Sequence, residues 1–324
     1  MEERRTELLL QSEASPSTKS ILERIAQIPE EQVWLAKLKS RRTRDAYRQD
    51  VAHFMAVVQI QSADELRQVD HRAVIAWEAH LREYLRLQPS TIRRRLSALS
   101  SLFSHLVKYG LVAANPVRDI ERPSLNRRHG KTLAFSQKQA RAILDAPNPA
   151  TVQGLRDRAI LAVGFQVGFR RAEIVALQVE DLHQNRGFEA LWVTRKGNKR
   201  DSVAVHPHVA QRIRQYLQVA GHRDKLDSPL FRPVRNNGVI ADTRRSLSPD
   251  RVDCILKKYA RSIGVDRGYS AHSMRATFIT TALDNGASLE DVQRDVGHAD
   301  PSTTKLYDRR GHNPEKSASF FANY

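Results

Sequence analysis

Apolar side chains along this chain recur mostly at the three- and four-residue intervals of a helix, and in one place at the alternation of a strand. Thr43 caps a first periodic stretch, with Tyr47, Val51, Phe54, Met55 and Val58 on its apolar side. Asp70 opens a second, whose predicted buried set is Val74, Ile75, Trp77, Leu81, Tyr84 and Leu85, and which must stop before Pro89. The run PSTIRRRLSALSSLFSHLVKYG, residues 89–110, places Ile92, Leu96, Leu99, Phe103 and Leu106 on one helical stripe. A last short helix over 111–120 completes a four- or five-helix bundle, and residues 1–40 form a polar extension with room for one or two peripheral helices.

Residues 123–133 read as a linker, which predicts domains at 1–122 and 134–324. Ser136 caps the first helix of the second domain. An apolar helix follows from Leu155 to Val167, which Gly168 ends, leaving Arg170 beside the start of the next helix and Glu173 in its first turn. Strand composition then flanks Gly197-Asn198 within 188–206, a hairpin with Lys196 and Lys199 at its tip. Helices are expected over 207–220 and from Ser248-Pro249 to about Ser262, the latter turning Val252, Ile255, Leu256 and Tyr259 inward. Further on, His272 and Arg275 share a helix face through Leu283. Ser288 caps a helix that stops near Gly297 and leaves His298 on an exposed turn, and Asp300-Pro301 starts a third that carries Tyr307. The fold class is mainly α, a helical bundle followed by a mixed, mostly helical domain with a small β-sheet.

Charge narrows the partner. The 53 Lys and Arg against 36 Asp and Glu leave a formal charge of +17, and both domains share the excess, which points to a polyanion gripped from two sides. Double-stranded DNA fits better than a membrane, because no apolar run has the length of a spanning helix and no signal or lipidation pattern is read. The single cysteine, Cys254, precludes an intrachain disulfide and fits a reducing, cytoplasmic setting in association with DNA. Arg93, Arg94 and Arg95 crowd the first turns of a helix, where phosphates would offset an unfavourable dipole. Arg127, Arg128 and Lys131 suit either a strap across a duplex or a plain exposed linker, and Arg244 and Arg245 either a DNA contact or a solvated patch.

Arg170, Lys196, His272, Arg275 and His298 are the groups that would surround a phosphodiester. Guanidiniums offer bidentate donors where charge grows in a pentacovalent transition state, a histidine donates or moves a proton, and a lysine can protonate a leaving oxygen. Tyr307 is then the nucleophile, and since a phenol is neutral at pH 7 its attack needs help with the proton. No phosphate-binding glycine loop and no carboxylate cluster for two metals is read, and His206 and His208 flank Pro207 as a surface loop, so no cofactor or metal is expected.

The constellation resembles the tyrosine recombinase, or phage-integrase, family. GFRRAEI is similar to its first arginine motif and assigns Arg170, with Glu173 in support. RKGNKR resembles its lysine hairpin and assigns Lys196, with Lys199 as the substitute. HSMR, VGHAD and TTKLY supply His272, Arg275, His298 and Tyr307 at similar intervals. The layout is similar to the simple two-domain Xer-like members, or to those encoded by plasmids and transposons. The resemblance implies a core-binding bundle ahead of a catalytic domain, a 3′-phosphotyrosyl intermediate, a Holliday junction, and a homotetramer on paired recombination sites. It leaves open a monomer in solution and an accessory protein. It also suggests that Phe320, Phe321 and Tyr324, in the tail from about residue 311, dock on a neighbouring protomer, although packing in cis is the alternative. Competing functions are a noncatalytic DNA-binding regulator and a type IB topoisomerase-like enzyme that rejoins the strand it cuts.

Overall fold

A computed structural model describes residues 29–124, 132–195, 197–235, 238–240, 244–265, 267–298 and 300–307. The chain divides into two compact units, residues 1–126 and 127–324. The mainly helical expectation holds in both, and among the described residues no helix is long and apolar enough to cross a membrane.

In the first unit the described helices are α1 Glu30–Lys37, α2 Arg41–Val57, α3 Ala63–Arg67, α4 His71–Ala79 and α5 Pro89–Lys108. The α5 stripe is the centre of its core: Ile92, Leu96, Leu99, Phe103 and Leu106 are all essentially inaccessible, together with Phe54, Trp77 and Leu81. Trp77 donates its indole N–H to His53 Nδ1 at 3.1 Å and meets Phe54 edge-on at 5.1 Å. Burying the ring therefore leaves no orphaned donor.

Three local expectations need correction. The cap of α2 is Ser40, whose hydroxyl accepts the Thr43 amide, so Thr43 provides the donor one turn inside. Ile75, Tyr84 and Leu85 are exposed rather than buried. A wide turn over His80–Tyr84, closed by the Leu85 amide on the His80 carbonyl at 3.0 Å, shifts the later two out of phase with α4. Residues 111–120 form turns and no helix. Asn115 spends its amide on the Ser100 carbonyl at 3.0 Å and the Ser104 hydroxyl at 2.8 Å, while its side-chain oxygen accepts the Val117 amide.

The second unit contains α6 Gln137–Asp145, α7 Val152–Gln166, α8 Arg171–Ala176, the strands β1 Leu182–Asn185, β2 Phe188–Thr194 and β3 Arg200–Ala204, then α9 Pro207–Ala220, α10 Pro249–Ser262, α11 Ala271–Asp284, α12 Leu289–Val296 and α13 Pro301–Lys305. Ala159 to Val163 of α7 are buried on every side, because α9 and α11 pack against it. The strands form one antiparallel sheet in the order β1-β2-β3, with Leu182 opposite Leu191 and Leu191 opposite Val203. The first strand escapes pattern reading, since LHQN carries little apolar alternation and is a strand only through its pairing with β2.

Truncating the α5 stripe tests this core. Leu99→Ala should cost roughly 2–5 kcal/mol of first-unit stability. In a Trp192→Phe background, urea unfolding followed by the fluorescence of Trp34 and Trp77 measures it, and an unchanged midpoint would contradict the packing.

Candidate active site

The carboxyl end of α12 organises the site. A helix leaves its last four carbonyls without partners in its own ladder, and the aligned peptides give that end partial negative charge. Here Gly297, at φ +62°, turns the chain so that its amide takes the Arg294 carbonyl at 3.0 Å and the His298 amide takes that of Gln293 at 3.1 Å. The remaining carbonyls go to arginines from three other elements. Arg195 donates to Asp295 O at 2.5 Å and to Val296 O at 2.9 Å, Arg275 donates to Val296 O at 2.5 Å, and Arg170 reaches Gly297 O at 3.4 Å.

Arg275 comes from the second turn of α11 and is 1 % exposed. Its second anchor is the Gly168 carbonyl at 2.7 Å, presented by a turn at φ +74° that ends α7. Burial and the neighbouring Arg170 guanidinium pull Arg275 down to about 9, still a cation at neutral pH. Its Nε is buried without a partner in the described structure, so the site has a donor in reserve. Arg170 precedes α8 and is more open. Glu173 holds it twice, accepting the backbone amide and the guanidinium at 2.7 Å each. The same carboxylate lies 3.6 Å from Arg195, offsetting part of the clustered positive charge.

Tyr307 lies just past α13, 8 % exposed among Ala276, Ile279, Val292 and Val296. Its phenol oxygen is 3.1 Å from His272 Nε2. The His298 ring faces the Tyr307 ring at 6.4 Å, and His298 Nδ1 is 2.8 Å from the hydroxyl of fully buried Thr304. His298 is thus half-buried, not on the exposed turn its sequence suggested, because the five-residue α13 folds back over it. Desolvation first, then Arg275, Arg170, His272 and Arg195, push its imidazole down to about 3. His272 is also lowered, by desolvation, then Arg275 and Arg170. Both rings are neutral at pH 7, and a neutral His272 can accept the phenol proton.

Arg170, Glu173, His272, Arg275, His298 and Tyr307 are therefore brought together. Lys196, Arg127, Arg128, Lys131, Phe320, Phe321 and Tyr324 lie outside the described residues. Lys199 is exposed beyond β2, its carbonyl accepting the Arg195 amide at 2.6 Å. Arg93 donates to the Pro123 carbonyl at 3.1 Å, Arg94 pairs with buried Asp50 through both of its terminal nitrogens, and Arg95 lies 3.8 Å from the same carboxylate. Arg244 and Arg245 are exposed, and Arg244 lines a cleft with Glu180, Asp224, Asp227 and Arg232, a mixed-charge surrounding. Sequence reasoning missed Arg195 and Thr304. An arginine next to a turn reads as solvated, and the only hint in the sequence was its place beside Lys196. Among the described residues no group of three His, Cys, Asp or Glu side chains is placed to hold a metal ion.

A helical unit ahead of a mostly helical one, in which a tyrosine and two histidines meet two guanidiniums, defines a tyrosine recombinase architecture. Residues 134–313 match the phage integrase family model and residues 30–110 that of the phage integrase N-terminal SAM-like domain. The chain belongs to the phage integrase, or tyrosine recombinase, family and is Xer-like. It is 31 % identical over 269 residues to tyrosine recombinase XerD of Lacticaseibacillus casei, covering 83 % of this chain and 87 % of that one. To tyrosine recombinase XerC of Pelobacter propionicus it is 32 % identical over 270 residues, covering 83 % and 84 %. Among solved structures, a lambda integrase tetramer bound to a Holliday junction shares the fold at a TM-score of 0.63 and 14 % identity, over 97 % of this chain and 86 % of that one. XerH bound to its difH substrate does so at 0.60 and 17 %, over 84 % and 76 %.

The histidines predict an acid-sensitive fold. Their folded pKa values lie below the ordinary 6.5, so as pH falls the unfolded chain takes up protons first. Their contribution to stability is complete above about 6.5 and declines below it, that of His298 being lost as pH drops toward about 3. His298→Gln should flatten the decline by about one proton between pH 6 and 4.5, measured from the pH dependence of the urea midpoint. An unchanged slope would contradict the assignment.

Proposed function

We propose that this protein is a site-specific DNA recombinase that exchanges strands by transesterification. The observation that carries it is the pairing of the Tyr307 phenol with His272 Nε2 beside a buried guanidinium that has a donor in reserve. The phosphodiester binds with its nonbridging oxygens on Arg275 and Arg170, and its negative charge relieves the crowding of cations. His272 Nε2 takes the phenol proton as Tyr307 attacks phosphorus. That imidazolium would be disfavoured between two arginines alone and is made acceptable by the bound phosphate. With the Thr304 hydroxyl donating to Nδ1, His298 carries its proton on Nε2 and donates to the developing charge.

The tyrosyl O–P bond forms as the bond from phosphorus to the 5′ oxygen breaks, and the Lys196 ammonium gives the departing oxygen its proton. The 3′-phosphotyrosyl bond retains the energy of the phosphodiester. A 5′-hydroxyl from the partner duplex then attacks it, releases Tyr307, and leaves a Holliday junction after one pair of exchanges. Arg170, Lys196, His272, Arg275, His298 and Tyr307 are the catalytic set, and Glu173 supports Arg170. Paired DNA sites held by four copies of the chain supply the partner strand, the tail residues Phe320, Phe321 and Tyr324 bridging protomers. Positively charged side chains, the exposed Lys199 among them, give backbone contacts whose strength falls with added salt.

Covalent capture tests the chemistry. Sheared DNA from the source genome is incubated with the protein in EDTA, denatured, and protein-linked fragments are sequenced and remade as nicked suicide duplexes. Wild type should accumulate adducts on them, Tyr307→Phe none, with duplex binding retained. Arg170→Ala and Arg275→Ala should lower adduct formation by roughly a hundred-fold or more. Adducts that persist in Tyr307→Phe refute the nucleophile, and religation confined to the cut strand favours topoisomerase-like action.

A further inference from the structure

Arg195 has no part in the steps above, yet its side chain is 6 % exposed and fully engaged. It follows β2 and closes the turn after it. Its amide donates to the Lys199 carbonyl at 2.6 Å and its carbonyl accepts the Asn198 amide at 3.1 Å, while Gly197 and Asn198 take left-handed φ of +86° and +63°. The guanidinium, however, leaves the hairpin. It donates to Asp295 O and Val296 O at the end of α12, with Asp201 Oδ2 at 3.3 Å, Glu173 at 3.6 Å and the Phe169 ring centroid at 5.5 Å completing its surroundings. Gly297 leaves room for it, since a Cβ there would lie 2.7 Å from Arg195 Nε. One side chain thus fastens the base of the β2-β3 turn to the helix end that also holds Arg275 and is followed by His298.

We propose that Arg195 is a positioning residue for protonation of the leaving oxygen, fixing the turn that bears Lys196 to the frame in which the phosphate is held. The assignment rests on the strand-transfer reading. Arg275 keeps its separate anchor on Gly168 O, so losing Arg195 should spare the phosphate-holding side. A lysine general acid, by contrast, is effective only within hydrogen-bond reach of the oxygen it protonates. Displacing its turn therefore weakens one proton transfer and leaves the attack itself intact.

The test compares two suicide duplexes of the captured sequence, one with the ordinary 5′-bridging oxygen at the scissile phosphate and one with sulfur there. A thiolate departs without needing a proton. Arg195→Gln should cut the oxygen duplex roughly ten- to a hundred-fold more slowly than wild type, and the sulfur duplex within about three-fold of it. In a Lys196→Ala background, Arg195→Gln should add no more than about a two-fold further loss on the oxygen duplex. Arg195→Lys serves as a second variant if the glutamine chain has a lowered thermal midpoint, and should show the same rescue by sulfur. Equal loss on both duplexes, or full additivity with Lys196→Ala, would overturn the assignment. A wild type that forms no tyrosyl adduct on either duplex would overturn the strand-transfer reading and the assignment with it.

Discussion

Unsatisfied carbonyls at the end of one eight-residue helix hold this site in register. The last turn of α12 ends in the partial negative charge that any helix has there, and Arg170, Arg195 and Arg275 converge on it from a helix start, a strand end and a second helix. Each guanidinium uses part of its donor set on main-chain oxygen, which cannot change rotamer; Arg195 is taken up entirely within the protein, whereas Arg170 stays partly open. Three cations so close would repel one another. Glu173, partly shared between Arg170 and Arg195, and the helix end itself reduce that repulsion without cancelling it. A site held in this way is complementary to an anion before any anion arrives.

The excess of positive charge also sets the state of the two histidines. Neither ring can readily become an imidazolium beside Arg170 and Arg275. A neutral His272 can accept from Tyr307 when its proton sits on Nδ1, and His298 is oriented through Thr304 rather than by a carboxylate. In the proposed reaction a phosphodiester introduces the missing negative charge at the place where proton transfer creates a new positive one. Substrate binding and base strength are thereby coupled through simple electrostatics.

Much of this was legible in the sequence because the informative signals are local. Ser136, Asp70, Ser288 and Asp300 cap helices where their spacing placed them, and the α5 stripe is buried as its period required. His272, Arg275, His298 and Tyr307 were visible as chemistry-bearing residues at intervals similar to a known family. What escaped depends on partners distant in the chain. Asp50 neutralises Arg94 from 44 positions away, and Arg195 finds its acceptors about a hundred positions later. The wide turn at His80–Tyr84 likewise cannot be read from apolar spacing, so Tyr84 and Leu85 were expected inside and lie outside.

The two members of the Tyr307–His272 contact differ in how firmly they are mounted. His272 belongs to a fourteen-residue helix packed against α7, whereas Tyr307 follows a helix of five residues, too short to persist alone and secured by the Asp300 cap, the Thr304 hydroxyl and its own ring. Elements this short open locally at lower cost than the domain unfolds. In the proposed reaction, undocking of that short segment would withdraw the nucleophile alone, with the anion cradle left assembled and ready for its return.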